Sequence, residues 1–125
     1  MNETNPTQTP GGQGSDQQEM RDIAEVPADE VIGAACIHLM SAAAVKCGLA
    51  EDDNAADYID LDEARKLIHS LAGLVMSATT VLDDSHARPL REGLRTLQLA
   101  FREASPIADE PGQGPGEKLT GPVFN

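Results

Sequence analysis

Aromatic side chains are nearly missing from this chain. Tyr58, Phe101 and Phe124 make up 2% of the 125 residues, and there is no tryptophan. The core must then come from Leu, Ile, Val, Met and Ala. Small side chains bury little area each, although they let helices approach closely. Cationic residues are scarce too: nine Lys and Arg stand against 21 Asp and Glu, a formal net charge of −12. Such a chain disfavours non-specific contact with nucleic acid or anionic membranes. Cysteine is limited to Cys36 and Cys47, eleven positions apart on one predicted helix. That spacing puts them about 16 Å apart along the axis. A disulfide needs Cα atoms within about 7 Å, so none forms within the helix, and reduced thiols in the cytoplasm are expected. No basic stretch followed by an apolar one opens the chain, so no secretory leader is expected. Strand-like alternation and internal repeats are absent as well.

What stands out is Val31–Val45, VIGAACIHLMSAAAV, whose clearly polar side chains are His38 and Ser41. A helix that is apolar on nearly every side must be surrounded by protein or lipid. The run is shorter than the ~20 residues of a membrane span and rich in alanine, so no membrane role is expected. Self-association as a homodimer is the expectation, with Val31, Ile32, Ala35, Leu39, Met40 and Ala43 as candidate interface residues. Small cores often gain area this way.

The fold class expected is all-α. Three helices, about 28–47, 61–82 and 86–104, form a small bundle that oligomerisation completes. Pro27, Asp29 and Glu30 suit the start of the first helix, and Gly48 its end. Asp60 and Glu63 form a capping-box-like start for the second helix. Its apolar positions run from Ala64 to Leu82 as an i, i+3, i+4, i+7 stripe. Ser85 is the candidate cap of the third, along which Leu90, Leu94, Leu97, Phe101 and Ala104 make a seam. Gly33, Gly73 and Gly93 sit one per helix; each costs about 1 kcal/mol against Ala, so close packing is expected beside each. Residues 20–105 thus form the helical domain, flanked by tails at 1–19 and 106–125 that lack enough large apolar side chains to fold. The second tail reads as a flexible tether ending in a short docking peptide, with Leu119, Val123 and Phe124 as candidate anchors for a partner.

Three stretches carry a resemblance: SAAAVKCGL (41–49), DLDEARKLIHSLAGL (60–74) and PLREGLRTLQLAFREAS (89–105). Together with the tail GPGEKLTGPV (114–123), they resemble the domain of unknown function 1844 family in its actinobacterial branch. The resemblance implies a helical, non-catalytic protein with no assigned enzyme activity or cofactor. Genes of that branch often lie near the gene for translation initiation factor 3, which implies a link to translation.

Other candidate sites each have a plainer reading. Arg88, Arg95 and Arg102 recur every seven residues on the third helix, with Arg91 nearby. Such a row could grip phosphates or an acidic protein face. No aromatic side chains interleave with it, which favours a solvated face over nucleic-acid binding. Residues 52–63 echo a calcium loop, but Ala56 and Asp57 stand where the loop needs an oxygen ligand and a glycine. His38, His69 and His86 lack the paired spacing of a zinc site, and no third residue orients a Cys–His pair. Gly112, Gly114 and Gly116 lack the strand–loop–helix setting of a phosphate loop. No catalytic residue, metal or cofactor is therefore expected. The reading is a non-enzymatic cytosolic interaction protein that binds a protein partner through the arginine row or the tail. The alternative is a ribosome- or RNA-associated accessory factor.

Overall fold

The computed structural model describes residues 23–124. The segment 1–19, expected to be disordered, lies outside the described residues. The chain divides into a unit up to Val31 and a unit from Ile32 onward, and the second holds the bundle.

Among the described residues the regular structure is all helical. Helix α1 spans Ala28–Lys46, α2 spans Leu61–Ala78, α3 spans Asp84–Ala104, and a short α4 spans Glu117–Thr120. The three long helices occupy the stretches that periodicity marks, with differences at their ends. α1 closes on Gly48, which adopts φ 89° while the Leu49 N–H reaches back to the Ala44 carbonyl at 2.9 Å. That six-residue closure needs a left-handed residue, which glycine supplies without a Cβ penalty. A single 3-10 turn, Ala55–Tyr58, occupies the acidic connection to α2.

The ends of α2 and α3 differ from expectation in instructive ways. Asp60 caps α2, its carboxylate accepting from the Glu63 N–H at 3.2 Å. The reciprocal half of the box is not made: the Asp60 N–H goes to the Lys46 carbonyl, and Glu63 pairs with Lys66 at 2.9 Å. α2 stops at Ala78 rather than at 82. Thr79 and Thr80 turn their hydroxyls onto the Met76 and Ser77 carbonyls, the local competition that ends helices. The cap of α3 is Asp83, not Ser85. The Asp83 carboxylate accepts from the His86 N–H at 3.0 Å, from the His86 ring at 2.8 Å and from the Ser85 hydroxyl at 2.8 Å. These bonds hold the carboxyl down to about 2, the His86 ring contributing most. A depressed carboxyl contributes stability that is present above its ordinary value of 3.8 and is lost as pH falls through about 2. Asp83→Asn is therefore expected to lower stability at neutral pH and to flatten its decline between about pH 4 and 2, as read by thermal melts in that window.

The core joins all three long helices. Ala64, Ile68, Leu71, Ala72 and Val75 of α2 meet Ala87, Leu90, Leu94, Leu97 and Phe101 of α3, and Cys36, Ala43 and Cys47 close the cluster. Of the three interior glycines only Gly93 carries a close approach: a Cβ there would stand 2.8 Å from the Met40 thioether. Gly33 has nothing within 4 Å, and Gly73 meets only Leu119, at 3.9 Å.

The larger correction concerns residues 106–124. They are not a free tether but lie against α2 and α3, with Gly114, Pro115, Gly116, Glu117 and Val123 buried. Side chains of the helices hold the segment by its backbone. The buried Gln98 amide donates to the Pro115 carbonyl and to the Thr120 hydroxyl, both at 3.1 Å. Arg102 donates to the Asp109 carbonyl at 3.1 Å and Arg95 to the Phe124 carbonyl at 2.7 Å. Arg65 pairs with the Asp109 carboxylate at 3.1 Å and lies 4.9 Å over the Phe101 ring. Within the segment, the buried Glu117 carboxylate accepts from the Gly112 N–H at 2.8 Å. Gly116 sits at φ 77°, and a Cβ there would stand 2.7 Å from the Ala72 Cβ. Glycine is required at that point both for its backbone angle and for its lack of bulk.

Candidate interaction surfaces

α1 presents two different faces. Cys36 and Ala43 are its fully buried residues, and Ile32, Leu39 and Met40 lean on the same core. The opposite face is open. Val31, Ala34, His38, Ser41 and Val45 are exposed and recur at alternating steps of three and four, with Ile37 beside them at 58% exposure. That alternation is the spacing of a helix-pairing seam. The interface set expected from sequence therefore divides. Val31 and Ala35 are exposed, whereas Ala43 is sealed in the chain's own core and Ile32, Leu39 and Met40 are half-covered by it. The open face also carries Ala34, Ile37, His38, Ser41 and Val45, which the sequence reading does not single out for the interface. In a helix apolar on almost every side, composition does not say which side turns inward. The three–four alternation was the available signal.

The arginine row is turned on the chain itself. Arg88 and Arg91 both reach Asp84, at 2.6 and 3.0 Å, while Arg95 and Arg102 hold tail carbonyls. None of the four pairs with the acidic loop in these bonds. Arg88→Gln is expected to change stability by no more than about 0.5 kcal/mol, since an exposed i, i+4 pair contributes little. Replacing Arg95 and Arg102 together with Gln is expected to loosen the tail, read as faster amide exchange over 106–124 with unchanged helicity.

The three tail anchors separate as well. Val123 is 6% exposed and, with Met76, Leu94, Arg95 and Gln98, lines an open recess of about 280 Å³; its burial anchors the tail to its own helices. Leu119 and Phe124 remain exposed, at 46% and 57%. On the other side of the tail, a cleft of about 330 Å³ is lined by Arg65, Lys66, His69, Lys118 and residues 113–116. Two of its cations are already matched, Arg65 by Asp109 and Lys66 by Glu63.

Asp52 accepts from the Asn54 N–H at 3.0 Å and Asp60 caps α2, so two of the calcium-like positions shape turns. His86 is bonded to the α3 cap, and His38 and His69 are exposed. Cys36 and Cys47 are free and buried, and burial pushes both thiols up. That is the opposite of the depressed thiol a nucleophile requires.

The model of the family described as Domain of unknown function (DUF1844) matches residues 32–103, from within α1 almost to the end of α3. No curated protein and no solved structure matches the chain. With more than half its length matched, the chain belongs to the domain of unknown function 1844 family.

Proposed function

We propose that the protein is a non-enzymatic helical interaction protein of the cytoplasm that self-associates as a homodimer through the outward face of α1. One observation carries this reading. α1 is apolar along its length, yet Cys36 and Ala43 are its fully buried residues. An open apolar face beside a packed core marks an interaction site. By length and composition α1 could also cross a membrane. Its inner side, however, is committed to the core through Cys36, Ala43 and Met40, and a span would have to give up those contacts. The buried, free thiols suit a reducing compartment. A protein partner would meet Leu119 and Phe124, the exposed apolar residues of the docked tail. The arginines that motivate an RNA-associated role donate to the chain's own carboxylate and carbonyls. Sedimentation velocity over a dilution series tests the reading. A concentration-dependent dimer supports it, and a monomer at all concentrations overturns it.

A further inference from the structure

We infer that the occupant of the open α1 face is a second copy of this chain, and that the two α1 helices pair antiparallel about a two-fold axis near His38. This rests on the self-association reading above and adds its geometry. Three observations on α1 lead to it.

The exposed seam reads nearly the same in both directions. From His38 outward come a small residue, Ser41 or Ala34, and then a valine, Val45 or Val31. An antiparallel pair centred there sets Ala34 of one copy level with Ser41 of the other, and Val31 level with Val45. Small residues meet small residues, so the backbones can approach along the whole seam. A two-fold interface must be self-complementary in this way.

The charges decide between the two directions. α1 carries the exposed Glu30 in its first turn and Lys46 in its last. A parallel pair would set these charges beside their own copies. An antiparallel pair brings Glu30 of one copy to the end where Lys46 of the other lies, and opposes the two helix dipoles. His38 is the third observation. It is exposed at the centre of the seam, where a polar residue among apolar ones fixes register. At the axis the two imidazoles face each other, one ring able to donate and the other to accept.

Engineered cysteines read the direction. Ala34→Cys and Ser41→Cys change exposed positions seven residues apart, and the native Cys36 and Cys47 are buried. The wild-type chain is the background control. In the antiparallel pair, position 34 of one copy lies within about 2 Å, along the axis, of position 41 of the other, while the two copies of position 34 are about 12 Å apart. Disulfides need Cα atoms within about 7 Å. The two full-length variants are oxidised separately and as an equimolar mixture, with circular dichroism to confirm the fold and light scattering to give the mass. The expected result is crosslinked dimer in the mixture, joining one variant to the other, and at least ten-fold less in either variant alone. Homodimeric crosslinks within each variant would show parallel pairing and overturn the inference while leaving self-association standing. Dimeric mass with no crosslink in any sample would place the interface elsewhere and overturn both. Monomeric mass, or binding to neutral phosphatidylcholine vesicles in place of dimerisation, would also overturn both.

Discussion

Ile37→Asp is expected to abolish the proposed self-association and leave a folded, helical monomer. Ile37 is 58% exposed on the open face of α1, so the change should leave the core of each protomer intact. At a two-fold interface it occurs twice, once from each copy. Burying an isoleucine side chain contributes about 1.5–3 kcal/mol, and burying an unpaired carboxylate opposes association further. The dimer dissociation constant should therefore rise at least ~100-fold, equivalent to about 2.7 kcal/mol. Sedimentation velocity measures that shift, and circular dichroism should show the helix content unchanged. Ala43→Asp is the informative contrast. Ala43 has no exposure and lies in the core cluster, so a carboxylate there should unfold the protomer rather than merely separate two of them. If Ile37→Asp and Ala43→Asp behaved alike, the division of α1 into two faces would be wrong.

Removal of residues 106–125 is expected to destabilise the helical body. It would strip the cover from Ala72 and the Ile68 backbone, remove the buried Val123 side chain and take both partners from the Gln98 amide. Gln98 would regain water, so the loss is chiefly that of apolar burial and of the packed glycine stretch. The expected cost is on the order of 2–4 kcal/mol. For a domain of this size that lowers the thermal midpoint by roughly 10–20 °C. Gly116→Val should move stability in the same direction without shortening the chain. It puts a β-branched residue at φ 77° and a Cβ 2.7 Å from that of Ala72. Calorimetry on both variants checks this. Unchanged melting of the truncated chain would mean that the tail rests on the helices without supporting them.

The sequence made some of this legible and hid the rest, for physical reasons. The stripe from Ala64 to Val75 and the seam from Leu90 to Phe101 are one-sided, so their period sets both the helix and the face it buries. End signals placed Gly48 and Asp60 correctly because each acts on its own immediate backbone. Apolar residues continue to Leu82 and predict a longer α2, but two threonine hydroxyls outweigh that stripe locally. The tail departs from expectation for a different reason. Its attachment depends on backbone carbonyls held by Gln98, Arg95 and Arg102 and on a glycine pressed against Ala72. A search for large apolar side chains registers none of these contacts. The same long-range bonds explain why the arginine row looked like a solvated or partner-binding face: its acceptors lie 29 and 7 residues away for Arg95 and Arg102, and they are main-chain atoms.

In the proposed assembly the open face of α1 joins two copies of the chain. Light scattering on the full-length protein at micromolar concentration, coupled to size-exclusion chromatography, addresses it most directly. The predicted result is a single species of about 26 kDa, twice the 13.2 kDa chain. A stable species at 13.2 kDa across the same concentrations would contradict it.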